Sequence, residues 1–299
     1  MDAIFIVEQA LNGFQFGVML FLMAAGLTLI FGIMSLINLA HGSLYMMGAY
    51  FAAALLDRTD SFLLSLFGAL AGVIALGALL EIIAYRRLYN RQHLDQVLAT
   101  FGLILFFNEI ARIIWGNEPQ YMTEPDWLSG QVEFIPGIPY PVYRLAIIIV
   151  GLLVALGLYI LIRFTRTGML IRAGASNRTM VEALGVNIRA LYTLLFAVGA
   201  ALAALAGIMM APILTVQVGM GEPILILAFV VIVIGGIGSV HGALVAALLV
   251  GWVDTFGRVI LPQLMGDTTG AAAASMIIYI LMATVLIWRP QGLLPVSNV

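Results

Sequence analysis

Long apolar stretches, broken by short polar punctuation, make up most of the chain. Residues 9–56, 61–80, 145–162, 190–221, 223–253 and 268–288 contain no Asp, Glu, Lys or Arg. A helix crosses the hydrocarbon of a bilayer with about 20 mostly apolar residues, so several of these runs can hold two crossings each. The pattern predicts spans over 11–33, 42–56, 62–84, 96–115, 143–162, 191–212, 224–238, 242–260 and 273–288. Two of them, 42–56 and 224–238, are short and flanked by Gly, which points to re-entrant or broken helices. The expected fold is all-α, a polytopic transmembrane helix bundle of about 8–10 spans that includes short or broken helices. It forms a single transmembrane domain over 1–299, because no segment is large enough for a separate soluble domain. The first apolar run continues far past a secretory core of about 7–15 residues and reads as membrane-resident, not as a cleaved signal.

Composition narrows the chemistry. Apolar residues make up 63% and charged ones 9%, against about a quarter charged in a water-soluble domain. The net charge of −2 says little, but all 13 basic residues are Arg. Without Lys there is no phosphate-loop lysine and no Schiff-base catalyst, so if ATP is used, another chain must hydrolyse it. Without Cys there is no disulfide framework, thiol nucleophile or thiolate metal site. The three His residues, 41, 93 and 241, are too scattered for zinc, and no catalytic set of nucleophile, base and orienting group is present.

Positively charged loops stay in the cytoplasm. Arg86, Arg87 and Arg91 mark one such loop, Arg163, Arg166, Arg172, Arg178 and Arg189 a second, over 163–190, and Arg289 follows the last apolar run. The segment 116–142 carries Glu118, Glu124, Asp126 and Glu133 with five prolines and no basic residue, and is expected outside. The N-terminus is then external and the C-terminus cytoplasmic.

Small residues at four-residue spacing, Gly13/Gly17, Gly68/Gly72 and Gly199/Ala203/Gly207, predict close helix packing. Asn38 and His41 interrupt the first apolar run; they either line a conduit or cap a helix break near the cytoplasmic face. Glu109 with Arg112, Asp254 with Arg258, and Glu81 with Arg86 are expected as ion pairs that reach toward the headgroups. The run Gly235-Gly236-Ile237-Gly238-Ser239-Val240-His241-Gly242 lacks the spacing and βαβ context of a nucleotide loop and predicts a sharp reversal between two spans. Residues 37–44 and 237–244 agree at four of eight positions, a weak internal repeat. Paired, interrupted segments of this kind make Asn38, His41, Gly235, Gly236 and Gly238 candidates for a translocation path. In the second Arg-rich loop, Ser176 or Asn177 can cap a short helix whose apolar face is Met180, Val181 and Leu184, with Gly185 as its break. Such a helix either lies on the membrane surface or inserts into a groove on a partner.

Together these residues resemble a known family. The early Gly-Leu-Thr-Leu-Ile-Phe-Gly-Ile-Met with Ile37 to Gly42, the Glu81 to Arg86 segment, Ala99 to Gly102, Arg163 to Gly168, Leu184 to Asn187, Gly235 to Ser239 and the tail Arg289 to Leu293 are similar to the permease subunits of bacterial ABC importers for branched-chain amino acids, which share a superfamily with ribose-type permeases. The resemblance implies that the loop holding Arg172, Asn177, Arg178, Met180, Val181, Glu182, Ala183, Leu184 and Gly185 couples to an ATPase. The family pattern there is Glu-Ala-Ala followed by Gly; here Leu184 replaces the second Ala. The resemblance further implies a second homologous permease subunit, two cytoplasmic ATPase subunits that hold the ATP and Mg, an external substrate-binding protein, and a place in the bacterial inner membrane. No cofactor is expected in the chain itself, and no nucleic acid. The cargo it implies is branched-chain or other apolar amino acids, with urea or short amides as the alternative. An ion-coupled secondary transporter is the rival from another class, though few carboxylates fall within the spans.

Overall fold

The computed structural model describes residues 3–34, 36–89, 91–135 and 137–295; the side chains of Ala3, Phe134, Ile135, Ile138 and Arg178 lie outside that description. Backbone amides in lipid must be satisfied within the segment, and the charge-free runs accordingly form helices. In chain order these are α1 (Ala3–Met34), α2 (His41–Thr59), α3 (Phe62–Leu80), a π turn (Glu81–Tyr85), α4 (Arg86–Leu88), α5 (His93–Trp115), α6 (Val142–Phe164), α7 (Arg166–Ser176), α8 (Arg178–Ala183), α9 (Ile188–Met210), α10 (Gly221–Gly235), α11 (Val240–Met265) and α12 (Asp267–Trp288). Seven of the resulting helical stretches are long and apolar enough to cross a membrane. The two expected to be short are the exceptions. α10 has only 15 residues, and α2 is of spanning length but carries His41, Ser43, Tyr45, Tyr50, Asp57, Arg58 and Thr59.

Several helices run beyond their expected spans because charge does not end a helix. Glu8, Asp95 and Arg258 lie inside α1, α5 and α11. The polar segment 116–142 holds a 3-10 turn at Asp126–Leu128 and a hairpin, β1 (Gln131–Ile135) antiparallel to β2 (Ile138–Pro141), with Gln131 opposite Pro141 and Val132 opposite Tyr140.

Contacts divide the chain into two units. The first draws on residues within 1–24, 124–154 and 227–299. Here Gly13 and Gly17 admit the backbone of α11: a Cβ on Gly13 would lie 2.6 Å from Trp252 Cδ1, and one on Gly17 would lie 2.8 Å from the Ala247 carbonyl oxygen. The Trp252 indole donates to the Ala10 carbonyl at 2.9 Å. Asn12 accepts from Arg144 at 2.6 Å and from the Tyr140 hydroxyl at 3.2 Å, which fixes the hairpin and the start of α6 to α1.

The second unit draws on residues 25–123 and 155–226, and α2 is its core. Residues 41–50 of α2 are all buried. Helix α9 reaches them through small residues: a Cβ on Gly48 would lie 2.8 Å from Ala204 Cα, and one on Gly207 would run into the Tyr45 carbonyl. On its other side α2 meets the start of α10, where a Cβ on Gly42 would lie 2.6 Å from the Gly221 carbonyl oxygen. Close approach of this kind is how dispersion holds helices together in lipid, where apolar burial drives little.

Candidate functional site

The second Arg-rich loop folds as two helices, where one was expected. Thr165 caps α7 by accepting from Gly168 N at 3.0 Å, and Arg172 donates back to the Ile162 carbonyl. Asn177 caps α8, accepting from Met180 N at 3.0 Å, so of the two expected caps it is Asn177 and not Ser176 that acts. The end is a six-to-one turn: Val186 N donates to Val181 O, Gly185 N donates to Glu182 O, and Gly185 has φ +85. The left-handed backbone there favours glycine. The expected apolar face is divided. Val181 is 5% exposed, whereas Met180 is 59% and Leu184 76% exposed, with Glu182 and Ala183 also on the surface. The Arg178 side chain lies outside the described residues.

Asn38 and His41 sit at the break between α1 and α2, both fully buried. Asn38 does not cap α2; Ala40 occupies that position without a side-chain bond. Instead the Asn38 amide oxygen accepts from the Tyr85 hydroxyl at 2.7 Å, while its Nδ2 has no partner among the described residues. Tyr85 belongs to the π turn, whose Arg86 N donates to the Glu81 carbonyl.

Glu81 does not reach for the headgroups as expected. It is fully buried, and four donor contacts converge on its carboxylate: Arg86 Nε at 3.1 and 3.2 Å, the Tyr89 hydroxyl at 2.9 Å and Thr193 Oγ1 at 2.6 Å. Arg86 also donates to Thr193 at 2.9 Å. Burial first, and Glu81 second, push the Tyr89 hydroxyl well above its usual range, which keeps it a donor. Because Thr193 lies near the start of α9, these bonds place Arg86 and Tyr89 beside the helix that follows the second Arg-rich segment. At another place in that unit, Asn108 donates to Glu222 at 2.6 Å, and Glu109 pairs with Arg112 at 2.5 Å on the surface. Local spacing does not reveal the partners of Tyr85, Thr193 and Glu222, which lie 47 to 114 positions away, nor Tyr89 as a partner of Glu81 eight positions earlier across the π turn.

In the first unit, Gly235 to Gly242 form the expected reversal between α10 and α11. Gly236 and Gly238 have φ +104 and +83, and Ser239 caps α11 by accepting from Gly242 N at 3.0 Å. The chain's tail closes this turn: Leu293 N donates to Ile234 O at 2.8 Å and Leu294 N to Gly235 O at 3.1 Å. Asp254 pairs with Arg258 at 2.8 Å. No group of three or more His, Cys, Asp or Glu that could hold a metal exists among the described residues.

The family described as the branched-chain amino acid transport system permease component matches residues 9–286. The high-affinity branched-chain amino acid transport system permease protein BraD of Pseudomonas aeruginosa is 31% identical over 306 residues, covering 96% of this chain and 95% of that protein. LivH of Salmonella typhimurium, which carries the same description, is 30% identical, covering 96% and 97%. The ribose import permease protein RbsC of Escherichia coli is 26% identical over 78% of this chain. No solved structure matches.

Proposed function

We infer the function from the family: this chain belongs to the permease components of branched-chain amino acid transport systems. It is a multi-pass membrane protein and a transport subunit. The cargo is a branched-chain or other apolar amino acid, carried across the bacterial inner membrane by alternating access. The match along 9–286 carries that reading, since it spans nearly the whole bundle.

Hydrolysis of ATP falls to two separate cytoplasmic subunits that hold ATP and Mg, a second homologous permease completes the conduit, and an external binding protein delivers cargo. The segment from Arg172 to Gly185 receives the ATPase movement. Two observations support this role: Met180 on α8 and Leu184 at its end are exposed, and the helix that follows the segment bonds to the other Arg-rich turn through Thr193 and Arg86. The two Arg-rich segments then face the cytoplasm, with the N-terminus outside and the C-terminus inside.

Asn38, His41 and the turn at Gly235, Gly236 and Gly238 remain the path candidates. The first pair gains support from α2, where the Tyr45 and Tyr50 hydroxyls are buried without hydrogen-bond partners among the described residues. Polar groups left unpaired in an apolar core call for a role.

The test is uptake by vesicles holding the four-component assembly with ATP inside. Leucine, isoleucine or valine should accumulate with the cognate binding protein outside and continue to do so after ionophores collapse the ion gradients. Accumulation of urea or acetamide in place of the amino acids would move the cargo assignment, and loss of uptake on ionophore addition would favour ion coupling.

A further inference from the structure

We propose that Glu81 is a positioning residue of the transport cycle, tying the helix that follows the coupling segment to the break between α1 and α2. The inference rests on the assignment of 172–185 as the segment that receives the ATPase movement.

The carboxylate of Glu81 takes up one end of the connection, and the π turn that Glu81 opens carries the other. On one side, Glu81 Oε2 accepts from Thr193 at 2.6 Å. Thr193 lies on α9, whose cap Asn187 accepts from Ala190 N at 3.1 Å, and only residues 184–187 separate α9 from α8. A four-residue connector closed by the Gly185 turn has little slack, so displacement of α8 by a docked partner displaces the start of α9. On the other side, Glu81 opens the π turn that ends at Tyr85, and Tyr85 holds Asn38 at 2.7 Å while its ring lies 4.6 Å from that of Phe196 on α9.

Three features suit this assembly to switching and not to packing alone. A π turn contains one residue more than an α turn, and such turns cluster at functional sites. Its conversion to α would rotate Tyr85 relative to Glu81 and so pull on Asn38. Next, a fully buried carboxylate in a span is costly and is retained where it is paired and used; here Arg86, Tyr89 and Thr193 fill its acceptor capacity. Finally, the buried Asn38 Nδ2 lacks a partner among the described residues, a donor that a second arrangement of the break can satisfy. The π turn between Thr193 and Asn38 is the element to which the proposal assigns two arrangements, the π form present here and an α form, each favoured by one state of the coupling segment.

The experiment uses the assembled transporter in vesicles and reads solute moved per ATP hydrolysed. Thr193→Val and Tyr85→Phe each remove one hydroxyl with almost no change of shape. Both should keep the complex and its ATP hydrolysis while lowering the transport-to-hydrolysis ratio by about fivefold or more, the scale of ordinary coupling between sites. Thr193→Ser should restore the ratio. An unchanged ratio in both variants, a proportional fall of uptake and hydrolysis, or loss of the complex in both would overturn the proposal and leave Glu81 a structural residue. ATPase capture by Met180→Asp, measured alongside, separates the two claims. If capture survives that change, the coupling-segment assignment fails; if it is lost while Thr193→Val and Tyr85→Phe both keep the ratio, the assignment stands and the Glu81 inference alone fails.

Discussion

Met180 and Val181, adjacent in the chain, part company at the surface of α8: Val181 is 5% exposed and Met180 is 59% exposed. Val181 is packed into the unit, and the proposed coupling role assigns the exposed Met180 to the ATPase. Met180→Asp and Leu184→Asp should therefore leave the permease folded and reduce its affinity for the ATPase subunits. Loss of a central contact costs about 2 kcal/mol or more, roughly thirtyfold in affinity. Pull-down with purified ATPase and size-exclusion profiles check both halves, and undiminished capture would remove this surface from the coupling role.

Asn177→Ala should weaken the same capture by another route, through loss of the cap on Met180 N. An N-cap contributes about 1 kcal/mol, and α8 has only six residues to share that loss. Asn177→Asp keeps the acceptor and should behave as wild type in the capture assay.

Gly207→Ala should destabilise the bundle, because the added methyl runs into the Tyr45 carbonyl on buried α2. Overpacking costs about 1–3 kcal/mol, readable as a lower unfolding temperature in detergent. Gly102→Ala is the matched control: a Cβ there meets nothing within 4 Å, and the melting temperature should hold or rise.

Because the chain has no Cys, single cysteines report sidedness directly. Tyr121→Cys, at a position 79% exposed, should react with a membrane-impermeant maleimide added to intact cells. Leu184→Cys should react only after permeabilisation. The reverse pattern would invert the orientation derived from the Arg-rich loops.

Ion pairs three or four residues apart, Glu109 with Arg112 and Asp254 with Arg258, are legible in the sequence because helical geometry alone brings them together. So are the Gly185 break, the Asn177 cap and the reversal at Gly236 and Gly238, each of which depends on local backbone preference. Glu81 departs from expectation for the same reason. Its position near a span end suggests a side chain that reaches outward, whereas Arg86, Tyr89 and, 112 residues away, Thr193 hold it inside. Asn38 has the chemistry of a cap, yet its partner Tyr85 comes from a distant turn.

Hydropathy by itself determined that this is a bundle of membrane helices, roughly where they start and stop, and which two would be unlike the rest, because lipid leaves the backbone so few alternatives. Tertiary structure decided which helix is central and which polar groups meet. α2 is the core of its unit despite being too polar to count among the seven apolar spans, since neighbouring helices bury its first ten residues. A sequence records what each residue prefers as a neighbour, whereas distance along the chain says nothing of which distant side chain will supply it.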